Sequence, residues 1–226
     1  MTTPTSTHRP AARLLAVATL LVVPLAGSPA LACGEPAGSS RADGISPRIP
    51  ADFALDEGLR DHGGDGGQRG PSEAVRGLRL DPCAGVSWKP KRRSDRLAVR
   101  SFGPESLQVR ELLTFRSAAR AARVVSRVRS DLAGCGEDTV DSSGRRTQVR
   151  VFGLTTGYDD VLWSVTAADD QIGGYLAQVM RVGKAVLLNY DAGEYSRTST
   201  HPGARSLNRN SRDFGPSMCR WTTAGC

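Results

Sequence analysis

The sequence predicts an α+β domain: an antiparallel β-sheet, read as a meander, packed against one long helix and a C-terminal helix and braced by disulfides. Three observations predict it. Apolar runs of strand length recur between residues 97 and 190, and most of their connections are too short for crossover units, which makes neighbouring strands antiparallel. One stretch, 117–133, instead repeats its apolar residues at three- and four-residue steps, the period of a helix. Four cysteines, Cys83, Cys135, Cys219 and Cys226, follow a start that reads as an export signal, and exported chains oxidise their thiols.

The signal comes first. Arg9 and Arg13 precede an uncharged apolar run, Leu14 to Ala26, and Ala30-Leu31-Ala32 supplies a small-x-small cleavage site before Cys33. The run is shorter than the roughly 20 apolar residues that cross a bilayer, and Pro24 interrupts it. Residues 1–32 are therefore expected to leave as a signal peptide. Cys33 directly after a small residue is similar to a bacterial lipobox, although Ala30 stands where such motifs usually carry Leu. Cysteine parity favours lipidation of Cys33, because the other four cysteines then pair without an odd thiol. Four cysteines allow three connectivities, and the sequence does not choose among them. The lipid on Cys33 is the only membrane contact expected, and the protein is placed outside the cytoplasm, secreted or held on the outer membrane face.

Residues 33–44 are small, polar and unpatterned, a flexible tether, and 45–226 form a single extracytoplasmic α+β domain. Pro47 and Pro50 forbid a helix interior in the lead-in, yet Ile49, Phe53 and Leu55 can dock on a core as an extended arm. Glycine-rich 61–71 reads as a loop. Gly103-Pro104-Glu105 turns Leu97–Phe102 back into Leu107–Phe115, a hairpin whose second strand carries Leu107, Val109, Leu113 and Phe115 on one face, with Glu111 as the exception. Ser117 caps the helix. Ala118, Ala121, Ala122, Val125, Val128 and Leu132 form its stripe, and Gly134 closes it as a left-handed residue. Strands follow at Thr147–Leu154, Val161–Thr166, Tyr175–Val182 and Ala185–Tyr190, the last two joined by the two-residue turn Gly183-Lys184. Leu207, Phe214, Met218 and Trp221 fit a terminal helix broken near Gly215-Pro216.

Composition excludes several classes. With 39% hydrophobic and 23% charged residues the chain is neither disordered nor polytopic, and its 25 glycines have no collagen period. The net charge of +7 falls to +5 once residues 1–32, which carry two arginines and no acid, are removed. Lysine occurs only at 89, 91 and 184, so the basicity reflects an arginine-rich coding bias and does not by itself point to a polyanion.

No catalytic constellation emerges, and no enzyme activity, metal or cofactor is expected. His62 and His201 lie in Gly/Pro loops, and no G-x-S-x-G, C-x-x-C or H-E-x-x-H occurs. Asp159-Asp160 and Asp169-Asp170 bracket one strand, whose ends lie roughly 17–20 Å apart, so they read as turn residues. Arg116, Arg120, Arg123 and Arg127 form one helix face, the solvated side of an amphipathic helix. Trp163 alternates with Val161 and Val165 as core, whereas Trp88 beside Lys89-Pro90-Lys91-Arg92-Arg93 is the candidate exposed binding surface. Scarce aromatics, 5% of the chain, and the absence of a recognition motif argue against nucleic acid.

Cys83 with Trp88 nearby, the run Leu112-Leu113-Thr114-Phe115 through Ala118 and Ala121 to Cys135, and Val179-Met180-Arg181-Val182-Gly183-Lys184-Ala185-Val186 resemble secreted actinobacterial proteins of the PknH-like extracellular sensor type. The Ile49-Pro50-Ala51-Asp52-Phe53 lead-in and the Cys219 to Cys226 ending are similar to relatives of that kind, and the likeness covers residues 45–226. That type forms ectodomains of certain receptor kinases and also free-standing lipoproteins. The resemblance implies an α+β domain with two disulfides and a ligand-binding groove, and it supplies no catalytic residue. This chain shows no kinase domain and no second membrane anchor, so direct signal transmission is not expected of it. The expected function is non-enzymatic binding of a small ligand or an envelope component. The alternatives are an envelope hydrolase using Asp159, Asp160 or Asp169, and a polyanion binder using the arginine stripe.

Overall fold

The structure, a computed structural model, describes residues 45–226 apart from 61–65, 84–86, 137, 142, 170–171 and 224–225. The signal and tether segments, Cys33, His62 and Asp170 lie outside the described residues.

Eight strands are described: β1 (Gly67–Ser72), β2 (Asp95–Gly103), β3 (Ser106–Thr114), β4 (Asp138–Val140), β5 (Arg146–Phe152), β6 (Asp159–Ala167), β7 (Gly174–Val182) and β8 (Ala185–Gly193). Helix α1 (Ala118–Ala133) follows β3, and α2 (Thr200–Phe214) runs on into a 3-10 turn, Gly215–Trp221. The fold is α+β, as the periodicities predict. The sheet is antiparallel in every pair, in the order β1-β2-β3-β8-β7-β6-β5-β4.

That order corrects the simple meander. Two meanders, β1 to β3 and β4 to β8, are joined by α1, which carries the chain from a central strand to the far edge. Their inner strands β3 and β8 then pair over Leu107–Thr114. The join is nonlocal in sequence, so no turn signal announces it.

Strand alternation sorts the core onto two faces. Leu113, Val161, Trp163, Val165, Val179, Val186 and Leu188 pack with Ala121, Val124, Val125, Val128 and Leu132 of α1. On the opposite face Leu112, Met180, Val182 and Leu187 pack with Phe214, Met218 and Trp221, and Leu162 and Leu176 pack with Ala204 and Leu207 of α2. A sheet covered on both sides has strands buried along nearly their whole length, as β6, β7 and β8 are.

Three sequence expectations are refined. Ser117 does cap α1, accepting from the Arg120 N–H, but Val124 belongs to the buried stripe and Ala118 is exposed. Gly134 ends the helix at φ −89, in right-handed geometry, with its N–H returned to carbonyls of the last turn. The glycine-rich stretch read as a loop contains β1, an edge strand whose register shifts between Arg69 and Ser72; Pro71 is tolerated there because an edge needs no inner ladder. Short β4 occupies the other edge.

The lead-in arm docks as expected. Phe53 and Leu55 are buried among Phe214, Trp221 and Leu112, and the Phe53 ring meets those of Phe214 and Trp221 at 5.6 and 5.4 Å. Buried Arg110 holds the arm by donating from Nη1 to the carbonyls of Leu55 and Glu57. Burial lowers its guanidinium to about 10 against the pull of Asp56 and Glu57, so it stays charged at neutral pH. The β7–β8 turn needs glycine: Gly183 has φ +56 and touches the Trp221 carbonyl so closely that a Cβ would collide with it.

Candidate functional site

A cleft of about 520 Å³ opens on the α1 face of the sheet. Strand register builds its floor. Trp163, Ala177 and Tyr190 pair across β6, β7 and β8, and the next row begins with Val165 and Tyr175. Odd-numbered residues of β6 and β7 share this face, so the floor continues the α1 core beyond the helix. The Tyr175 and Tyr190 rings stack at 5.1 Å and 32°.

One wall is formed by residues 78–83 with Ser87 and Trp88. Leu80 and Trp88 exchange backbone hydrogen bonds of 2.8 Å in both directions. Further attachments fix the wall in place. Glu111 accepts from the Leu78 N–H, Tyr175 donates its hydroxyl to the Asp81 carbonyl at 2.6 Å, and Trp88 donates from Nε1 to Asp131 at 2.8 Å. The Cys83–Cys135 disulfide then ties the wall to the residue just past α1. Asp141 and Arg145 of the β4–β5 connection and Thr147 of β5 also line the cleft.

The electrostatics of the floor are neutral. Burial raises the Tyr175 phenol well above its ordinary range, with Asp81 adding to the effect, and pushes Tyr190 up to about 12. Both are therefore neutral hydrogen-bonding groups. Trp163 is 1% exposed, and its indole N–H lies beside the Tyr175 hydroxyl without forming a hydrogen bond of normal geometry. An orphaned donor of this kind costs stability, and here the cost falls at the cleft floor.

The acidic pairs are placed differently. Asp159 and Asp160 project to opposite faces of β6. Asp159 bridges Arg129 at 2.8 Å and Arg181 at 2.7 Å, while Asp160 accepts from Gln178, Thr155 and the Thr156 N–H. Burial alone would raise the Asp159 carboxyl, but hydrogen bonds and charge from Arg181 and Arg129 hold it below the usual carboxylate range. Asp169 is exposed beyond the other end of β6. The structure brings no two of these three carboxylates into one cleft.

His201 stands exposed on the first turn of α2, 6.0 Å from the Phe152 ring. Among the described residues no group of three or more His, Cys, Asp or Glu side chains could hold a metal, and no helix is long and apolar enough to cross a membrane. Of the three possible connectivities the structure has Cys83–Cys135 and Cys219–Cys226.

Trp88 and the arginine stripe, read separately in the sequence, meet in space. Trp88 is half-buried, with Arg127 stacked over its ring at 4.2 Å. Its remaining edge joins Lys89, Lys91 and Arg92 with Arg120 and Arg123 in a groove of about 210 Å³ that, among the described residues, no acidic side chain lines. Arg116 is not part of it. Trp88 thus caps the end of α1 and also contributes to a basic surface.

The residues that sequence reasoning missed are Tyr175 and Tyr190. The signal is present: each is an aromatic with a polar tip, set in a largely apolar strand and on the same face as Trp163.

No protein-family model matches the chain. No curated protein matches it either. Among solved structures it is similar to the extracellular domain of PknH from Mycobacterium tuberculosis, with a TM-score of 0.40 and 11% identity over 52% of this chain and 63% of that one. This chain thus spans under two thirds of that domain.

Proposed function

We propose that this chain is a non-enzymatic, extracytoplasmic binding domain that takes a small, largely apolar ligand in the cleft between the β6–β8 floor and the wall of residues 78–83 and Ser87. The observation that carries the reading is the cleft itself. Its volume of about 520 Å³ suits a small organic molecule. Its floor is largely aromatic and aliphatic, through Trp163, Val165, Tyr175 and Tyr190, whose polar tips are neutral, while the charged side chains, Arg79, Asp81, Asp141 and Arg145, stand around it. Such a division binds the body of a ligand by burial and orients its polar end.

The compartment is supported by the export signal and by two disulfides, which persist in oxidising surroundings. Lipidation of Cys33 would hold the domain at the outer membrane face through the 33–44 tether.

The test uses the neutral fluorescent probe N-phenyl-1-naphthylamine. The oxidised protein should enhance its emission at one site. Ala177→Phe fills the floor between Trp163 and Tyr190, and Ser87→Trp blocks the rim; each should weaken binding at least about tenfold, or about 1.4 kcal/mol. Probe binding unchanged in both folded variants would contradict the reading.

A second reading, binding of an anionic polymer, is favoured by the groove of Trp88, Lys89, Lys91, Arg92, Arg120, Arg123 and Arg127. Polyphosphate binding that weakens steeply with salt and is lost in Arg120→Gln/Arg123→Gln would support it. Binding indifferent to salt would remove it.

A further inference from the structure

A second cavity, of about 390 Å³, lies on the opposite face of the sheet, where β5 and β6 run out beyond the start of α2. Register places two cross-strand pairs side by side on its floor, Gln148 with Thr166 and Arg150 with Ser164. The next pair, Phe152 with Leu162, lies under Ala204 and Leu207 of α2. The helix thus covers the apolar end of this strip and leaves its polar end open.

The open end gathers polar and basic groups. Ser164 and Thr166 are 2% and 4% exposed, and among the described residues their hydroxyls have no hydrogen-bond partner; both line the cavity. Neither hydroxyl oxygen is sealed off from the cavity, so both are free to bond a molecule that enters it. Arg150 and Arg197 stand at the edge with no acidic side chain among the lining residues. Arg150 only stacks on the Phe152 ring at 5.3 Å. The N-terminus of α2 borders the same space through Thr200, without an acid in its first turn and without a side-chain cap. The cap residue's hydroxyl is instead turned back to Ser196. The first N–H groups of a helix carry partial positive charge.

We infer that this cavity binds an oxyanion carried on a hydroxylated body, such as a sugar phosphate or an acidic sugar. Arginine forks and helix N–H groups match phosphate or carboxylate oxygens. Hydroxyls and an amide both donate and accept, and so match sugar hydroxyls. This site's side chains lie on the other side of the sheet from the apolar cleft, Thr166 alone bordering both, and the inference does not depend on that reading.

The experiment is calorimetric titration of the oxidised protein with glucose 6-phosphate, glucuronate, inorganic phosphate and glucose. Glucose 6-phosphate or glucuronate should bind at least roughly tenfold more tightly than glucose. Arg150→Gln/Arg197→Gln, two exposed positions whose replacement spares the core, should weaken the charged probes by roughly tenfold or more. Ser164→Ala/Thr166→Val should weaken the charged sugars but not inorganic phosphate. The cleft variant Ala177→Phe should leave all of these affinities unchanged, which separates this site from the proposed function. Absence of binding by every charged probe up to about 10 mM, or binding that the arginine variants leave intact, would overturn the inference. Phosphate binding as tightly as glucose 6-phosphate and glucuronate would overturn the hydroxylated body.

Discussion

Glu111 and Arg96 form a buried ion pair on the sheet, Nε to Oε1, with side chains 6% and 14% exposed. Glu111 is the charged exception on the apolar face of β3, and the pair explains it. Its second oxygen accepts from the Leu78 N–H, while Arg96 donates to the carbonyls of Glu73 and Val75. Gly77 sits so close to the carboxylate that a Cβ there would collide with it. The pair therefore fixes the segment that becomes the cleft wall.

Removing one partner leaves the other charge buried and unpaired. Glu111→Ala is expected to destabilise the domain by about 3 kcal/mol and to release residues 73–78. Urea unfolding measures the first effect, and faster amide exchange at Leu78 the second. A variant as stable as the parent would show that the pair does not anchor the wall.

The two disulfides should differ in worth. Cys83–Cys135 closes 52 residues and Cys219–Cys226 only 7. By loop-closure entropy they stabilise by about 4 and about 2 kcal/mol respectively. Cys83→Ser/Cys135→Ser should therefore lower the melting temperature further than Cys219→Ser/Cys226→Ser, and it alone should weaken probe binding in the cleft. Thermal melts of the two variants decide this.

Acid should erode stability through Asp159. Its carboxyl is held below the usual range in the folded protein by Arg181 and Arg129, so its stabilisation is present above the unfolded value of about 3.9 and disappears as pH falls through the folded one. Asp159→Asn should cost about 1–2 kcal/mol at neutral pH, and the difference from the parent should shrink below pH ~4. Denaturant titrations across pH 2 to 7 would show a constant gap if the ion pairs contribute nothing.

Absence of chemistry is also testable. A broad hydrolase screen of the purified domain should give no turnover that Asp159→Asn, Asp160→Asn or Asp169→Asn abolishes. Turnover that any of these removes would restore the hydrolase reading.

Much of the fold was legible because it is written locally. The β2–β3 hairpin, α1 with its Ser117 cap, the Gly183-Lys184 turn and the Gly215 break each announce themselves through turn chemistry or a 3.6-residue period. What was illegible is nonlocal or unpatterned. Nothing near β3 or β8 says that they pair, and β1 is glycine-rich and lacks alternation. The cleft is half legible: the alternation of Trp163 with Val161 and Val165 marks it as core, which it is, but its place on the floor depends on where α1 stops and residues 78–83 begin. The polar cavity beside α2 left a trace in Ser164 and Thr166, hydroxyls in an apolar strand on the face opposite Trp163. Only the helix position shows that they remain uncovered.

Native mass spectrometry of the oxidised protein recovered from its own cell envelope tests the central claim most directly. One small, largely apolar molecule per chain should be retained, and lost from Ala177→Phe and from Ser87→Trp while both variants keep two disulfides. A bare chain mass in the parent protein, or an adduct that both cleft-filling variants retain, would contradict it.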